Sequence, residues 1–554
     1  MEASLKVLLA SLLAFTFLIA IDATSVALAA SAITADLGGN ATESFWIGAA
    51  YLLAMCMSQP ILARLSDVFN RRSIILASVL MLGVGSLVCE SADTTALLLV
   101  GRTVQGFGAG GLTVLSYALY GDLEPRSGLR FLTALSLFIA AGTVCGPLLG
   151  AALSAGHQWR WIFRLNVPLC LVLGVLVYNA SDAPRRASGA VRLSELDFVA
   201  VALFAASIVP LLVGLTLAGS LYEWTDWQAV VPITLGGVAL LLLISKELMP
   251  GGARFLFGSR GVSKRPLLGL RLLRGLHGAT TFIGATFLGV LMYALLFFLP
   301  IYYRVIKERS EIATGLFLLP QTLMMAPCAG IVLVLVQVLG LSYRWTLVLG
   351  WLCTTCGIGL LALLDVDKTA ASDILLNLLS GFGIGTLLPA LALSAKDSSE
   401  GADALEAPMF LVFMRYLGSA SGLVIIGLVF QRVLRNNLIS TKFKSEAVEM
   451  TKYATTLMYS IREMPSSQDK QLLVRATENT LRTIWLALSA VSLAVLLLSC
   501  TMVLVTMRQK REPKVRALGS NTGGAPQLVL ETASKPESLF LEEDFKACLD
   551  ISVD

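Results

Sequence analysis

The chain has 554 residues, 56% hydrophobic and only 14% charged, with a formal net charge of +5. Soluble domains carry about 25% charged residues, so this composition belongs to a polytopic membrane protein. The basic residues gather in particular loops, which excludes a nucleic-acid surface, and two histidines in the whole chain exclude a histidine-ligated metal centre.

A membrane span needs about 20 apolar residues. Fourteen runs meet that length, at 5–30, 45–64, 73–91, 96–119, 130–155, 161–179, 197–219, 228–247, 279–303, 312–338, 344–364, 372–395, 407–430 and 482–506. The first is too long for the apolar region of a cleaved leader, so it reads as span 1. Halfway along it sits Asp22. A carboxylate near mid-bilayer is costly unless it is protonated, paired or facing a water-filled cavity. Asp22 is therefore the first candidate for a proton-carrying or cation-sensing residue.

Lys and Arg set the orientation. Arg64, Arg71 and Arg72, then Arg126 and Arg130, then Arg185, Arg186 and Arg192 fall in alternate loops, as do the seven basic residues between Lys246 and Arg274. These are assigned to the cytosol together with both termini. Loop 396–406 dissents, being acidic through Asp397, Glu400, Asp403 and Glu406, but acids count little in this rule. The spans group as six, two and six. The predicted units are 1–180, a six-helix bundle; 181–278, two linker spans with a basic cytosolic loop; 279–506, a second six-helix bundle with a long polar outer loop at 431–481; and 507–554, a cytosolic tail that is disordered by composition. Asn40-Ala41-Thr42, on a predicted outer loop, is a candidate glycosylation sequon or a chance match.

Three further stretches carry chemistry. Ala63–Arg72 (ARLSDVFNRR) places one acid among several guanidinium groups, which suits either a charge-assisted network or simple positive-inside charge. Span 4 holds Arg102-Thr103-Val104-Gln105-Gly106, and Arg102 must face a cavity or an acid, with Asp22 an obvious partner. The glycines that follow are read as close helix packing, since no strand precedes them. No GxxxxGK[ST] occurs, which excludes an ATP-driven pump with its own P-loop. Span 5 holds Gly142-x-x-x-Gly146-Pro147-x-x-Gly150, where small residues four apart allow close backbone approach and Pro147 bends the helix. Cys353-x-x-Cys356 lies within a span and reads as packing rather than metal or redox chemistry.

Together these stretches resemble the major facilitator superfamily, and within it the fourteen-span drug:proton antiporters of fungi. The 63–72 stretch is similar to that superfamily's G-x-L-x-D-x-x-G-R-R/K signature, with Ala63 and Asn70 in place of its glycines. Arg102–Gly106 resembles its R-x-x-Q-G, the span-5 glycines resemble its antiporter motif, and Ile21–Leu28 resembles L-D-x-T-I-V-N-V with Ala27 in place of Asn. Trp159–Pro168 fits the same family.

The resemblance implies an all-α major facilitator fold, two six-helix bundles plus two linker helices. It implies no enzyme, no cofactor and no metal, and proton-coupled efflux of amphipathic small molecules such as drugs, toxins or secondary metabolites. Asp22 is then the proton-site candidate, with Arg102 and Gln105 beside it. Asp67, Arg71, Arg72 and Asp122 form a cytosolic latch, and Gly142, Gly146, Pro147 and Gly150 form the antiporter motif. The partners are a small substrate, protons and the bilayer. The protein is expected to be a monomer in the plasma membrane, with an internal membrane as the alternative.

Arg415 in span 13 either snorkels to the cytosol or lines the cavity, and the sequence favours snorkelling. The few ionisable residues in the spans favour a hydrophobic, neutral or weakly cationic cargo. A siderophore–iron or basic amino-acid carrier of the same fold is the alternative; it calls for more acids in the cavity.

Overall fold

In the computed structural model the described residues are 2–39, 41–180, 196–218, 222–248, 266–337, 339–364, 369–399, 401–443, 447, 450, 461, 464–465, 467–511, 515–516 and 529–530. Asn40, residues 181–195 and 249–265 and most of the tail lie outside them, and so do the glycosylation and disorder expectations.

Among the described residues there are fourteen long helices: α1 (Glu2–Asp36), α2 (Ala41–Val68), α3 (Arg71–Glu90), α4 (Thr95–Asp122), α5 (Pro125–Ala155), α6 (Arg160–Asn179), α7 (Phe198–Leu217), α8 (Trp227–Leu248), α9 (Leu276–Ile301), α10 (Glu311–Gln337), α11 (Tyr343–Leu361), α12 (Ala370–Asp397), α13 (Ala402–Ile439) and α14 (Gln468–Arg511). Thirteen are long and apolar enough to cross a membrane. The fourteenth, α4, is diluted by Arg102, Gln105 and its glycines. Those glycines let it lie between two neighbours: a Cβ on Gly108 would strike the backbone of Leu82 in α3, and one on Gly106 or Gly110 would strike that of Tyr51 or Met55 in α2.

The first bundle is built from α1 on α5, α4 between α2 and α3, and α6 against α3 and α1. The second repeats the scheme with α9 on α13 and α12 against α10 and α11. The bundles meet along α5–α10 and along α2 and α4 against α13. The linker helices α7 and α8 pack on each other. Asp197 caps α7 by accepting from the Ala200 amide at 2.9 Å, pairs with Lys246 of α8, and so ties their ends together. Phe204 of α7 meets Phe413 of α13 with ring centroids 5.7 Å apart.

Two boundaries differ from the sequence expectation. The 63–72 stretch is hardly a loop: α2 runs to Val68 and α3 begins at Arg71, so its charged residues project from helix ends. The ends of the predicted 431–481 loop continue two spans. The 38 residues of α13 and 44 of α14 measure about 57 and 66 Å at about 1.5 Å per residue, roughly twice the ~30 Å of bilayer hydrocarbon. Polar contacts join the two extensions, Asn437 Nδ2 donating to Thr480 Oγ1 at 2.9 Å.

Residues Met1–Ser499 form one compact unit and Cys500–Asp554 another. Beyond α14 the second unit shows only a two-residue antiparallel pairing of Val515–Arg516 with Val529–Leu530 among its described residues.

Candidate functional site

Asp22 sits in the middle of α1, only 1% exposed. Its Oδ2 accepts from Arg102 Nη1 at 2.6 Å. Its Oδ1 accepts from Gln105 Nε2 and from Asn166 Nδ2, each at 3.0 Å. Arg102 also donates from Nη1 to Gln105 Oε1 at 2.6 Å and from Nε to the Ile47 carbonyl at 3.2 Å. The guanidinium carbon also lies 4.0 Å from the centre of the Tyr51 ring. Ser86 of α3 accepts from Gln105 at 3.0 Å and completes the network. Helices α1, α2, α3, α4 and α6 thus converge on one buried ion pair. Such a pair is tolerable only because the remaining lone pairs and protons are satisfied.

The pair is sealed on one side by an apolar cluster that includes Ile33, Ile47, Leu98, Trp159 and Phe163. The sequence placed Asp22, Arg102 and Gln105 in one group, and the structure brings them together. It adds Asn166, whose signal was a lone amide in the apolar run Leu165–Pro168.

The span-5 glycines explain how α1 is held. A Cβ on Gly142 would lie 2.6 Å from the Phe17 carbonyl oxygen, one on Gly146 would overlap Thr24 Oγ1, and one on Gly150 would strike the Ser25 carbonyl. Residues 17 to 25 of α1 bracket Asp22, so α5 fits against the segment that carries the acid. Pro147 faces the other bundle, where a Cβ on Gly315 of α10 would lie 3.2 Å from the Pro147 carbonyl.

At the end of the molecule that holds the α2–α3 turn, here the basic face, the latch candidates separate. Arg71 pairs with Asp122 inside the first bundle. Asp67 lies 3.5 Å from Arg64. Arg72 is apart from both and stacks over Tyr178, 5.1 Å from the ring centre. The link across the bundles is made by residues outside the predicted set: Arg64 of α2 bonds Glu406 of α13 at 3.0 and 3.1 Å, while Arg271, in the segment before α9, pairs with Asp403 of α13 at 2.6 Å. Arg64 also donates to the Pro266 carbonyl at 2.6 Å, drawing in the segment before α9. Two of the acids in the 396–406 stretch that ran against the charge rule, Asp403 and Glu406, are matched by these partners. The opposite face is closed too: Arg304 at the end of α9 donates to Ser31 of α1 at 2.9 Å and pairs with Glu311.

Between the two closures lies a cavity on the bundle interface, lined by α1, α4, α5, α9 and α13, with Tyr293, Arg415 and Tyr416 on its second-bundle wall. Its free volume is about 30 Å³, whereas drug-sized ligands fill about 300–1,000 Å³, so the structure is shut around this space. Arg415 is buried on the cavity wall, its guanidinium carbon 5.8 and 5.2 Å from the ring centres of Tyr117 and Tyr416. The expectation that it snorkels to the surface is therefore corrected. It lies too deep in α13, thirteen residues past Ala402, and the rings of Tyr117 and Tyr416 meet it inside the bundle.

Two helical bundles closed over a central cavity, with an ion pair buried beside it, define a multi-pass membrane transport protein. A family model described as Major Facilitator Superfamily matches residues 10–210. The chain is 30% identical over 479 residues to MFS transporter L2 of a Phoma species, covering 86% of this chain and 78% of that one. It is 28% identical over 481 residues to Efflux pump FUS6 of Gibberella moniliformis, covering 85% and 82%. A solved bacterial homologue of the human lysosomal transporter Spinster, in an inward-facing state, shares the fold at a TM-score of 0.56 and 15% identity, over 91% of this chain and 98% of that one. The chain belongs to the major facilitator superfamily, and it is a transporter rather than an enzyme.

Proposed function

We propose that this protein exports amphipathic small molecules in exchange for protons, with Asp22 as the proton site and the Arg415-lined cavity as the substrate site. The observation that carries the reading is the Asp22–Arg102 pair, both members 1% exposed. Charge in such a place is a functional hypothesis by default.

The mechanism follows from that geometry. Ionised, Asp22 holds α1 to α4 through Arg102 and to α6 through Asn166. An ion pair at about 4 Å and an effective dielectric of about 20 is worth roughly 4 kcal/mol of attraction. A proton on Asp22 removes that attraction and frees α1 to shift. Because Gly142, Gly146 and Gly150 fit α5 to the same stretch of α1, and α5 meets α10, the shift reaches the bundle interface. At the basic face, Arg64–Glu406 is the contact that parts when the cavity opens there. The Lys/Arg distribution assigns that face, and both termini, to the cytosol. We further propose the plasma membrane as its site, a monomer as its working form and 1–180, 181–278 and 279–506 as its functional units, with 507–554 as a tail.

The test is uptake into inside-out vesicles with an acidic lumen, using a panel of lipophilic cations, neutral metabolites, organic acids and amino acids. Accumulation of amphipathic compounds that a protonophore abolishes is the expected result. Accumulation that ignores the proton gradient, or of amino acids alone, overturns the proposal.

A further inference from the structure

We infer that the cargo carries an acidic group and that Arg415 is the residue that binds it. This deepens the reading above, since it takes the central cavity as the substrate site. Charge is the first observation. Among the described residues, the buried cations Arg64, Arg71, Arg102, Lys246, Arg304 and Lys470 each have a carboxylate partner. Arg415, 7% exposed, has none: its neighbours are the rings of Tyr117 and Tyr416, 5.8 and 5.2 Å from its guanidinium carbon. A guanidinium is always charged, and a buried charge without a counter-charge is costly. The tyrosines spread that charge without cancelling it.

The cavity wall supplies the second observation. Arg415 is its single ionisable side chain other than the two tyrosines. The remaining polar groups are hydroxyls whose donors are already committed. Thr16, Thr24, Thr113 and Thr143 each bond the carbonyl four residues back, and Ser419 bonds that of Arg415. They present methyl groups or lone pairs to the cavity, so Arg415 and the tyrosines are the donors left for a ligand. The rest of the wall is Ile19, Ala20, Ala23, Ile139 and Met292. An apolar body with a carboxylate head matches that wall.

Placement is the third observation. A Cβ on Gly289 would strike the Arg415 carbonyl, and one on Gly418 would strike that of Thr286, so α9 and α13 lie backbone to backbone. Arg415 is thereby fixed to a rigid two-helix wall across the cavity from α1. Asp22 is occupied by Arg102 and is not free to neutralise it. The acidic head therefore replaces the neutral or weakly cationic cargo expected from the sequence.

Three probes with the same apolar body separate the alternatives: pyrenebutyrate, its methyl ester, and pyrenebutylamine. Binding to the full-length protein in detergent is read by tryptophan quenching and by the rise in unfolding midpoint, against protein-free detergent. The carboxylate is expected to bind at least tenfold tighter than the ester, as a charge-assisted bond implies, and the amine weakest. Arg415→Gln removes the preference, and Arg415→Lys retains part of it while keeping the charge. Equal affinity for all three probes, tighter binding of the amine, or an acid preference that survives Arg415→Gln overturns the assignment. The assay needs no proton gradient, so failure of the export reading shows in the vesicle experiment instead.

Discussion

Asn in place of Asp22 is the sharpest perturbation of the buried pair. It keeps the shape of the side chain and a carbonyl that can accept from Gln105 or Asn166, but it removes the charge that Arg102 faces. With both groups 1% exposed, water cannot take over. Breaking a buried pair from one side costs about 3–5 kcal/mol, because the surviving charge is left uncompensated. Asp22→Asn is therefore expected to lower stability by roughly that amount. The double variant Asp22→Asn/Arg102→Gln removes both charges and should regain at least about 2 kcal/mol of the loss, since directly contacting residues couple by up to about 3 kcal/mol. The assay is a double-mutant cycle on unfolding in detergent, with Arg102→Gln as the fourth corner. An Asp22→Asn protein as stable as the wild type, or a double variant no more stable than the worse single one, would refute the paired-charge reasoning.

Other positions give graded outcomes. Asn166→Ala removes one hydrogen bond to the carboxylate and should cost about 1.5–3 kcal/mol, the range for bonds to charged groups, measured in the same unfolding assay. Gly150→Leu forces a side chain against the Ser25 carbonyl; an expected loss of about 1–3 kcal/mol, together with loss of transport, is checked by unfolding and vesicle uptake. Arg71→Ala removes the buried guanidinium that pairs with Asp122 and should cost more stability than Arg72→Ala, which loses a cation–π contact worth about 0.5–1 kcal/mol at an exposed site; melting both variants side by side distinguishes them. Glu406→Gln should open the basic face. A Met409→Cys reporter in a cysteine-free background is then expected to react faster with a water-soluble maleimide, because Met409 lies beside the Arg64–Glu406 pair.

Much of this arrangement was legible in the sequence because a bilayer makes charge conspicuous. Asp22 and Arg102 stood out as costly groups in apolar runs, and electrostatics alone suggested pairing them. Gly142, Gly146 and Gly150 showed their packing role through four-residue spacing, though not that α1 is the helix they face. The cross-bundle contacts were harder. Arg64 and Glu406 are 342 residues apart in the chain, and both looked like ordinary surface charge in turns. Arg72 carries the same local signal as Arg71 but sits on another side of α3, where Tyr178 meets it. Arg415 was misjudged because a long basic side chain in a span can snorkel, and only the positions of Tyr117, Tyr293 and Tyr416 show that it points inward. Asn166 was hidden because an amide in an apolar helix signals little until the carboxylate it serves is located.

The central claim, that Asp22 carries the proton, is tested most directly by following protons rather than cargo. Purified protein is reconstituted into liposomes containing a pH-sensitive dye, and a transported amphipathic acid is added. The wild type should move protons in the direction opposite to the cargo, while Asp22→Asn/Arg102→Gln should still exchange labelled for unlabelled cargo but move no protons. Undiminished proton movement in that double variant would contradict the account.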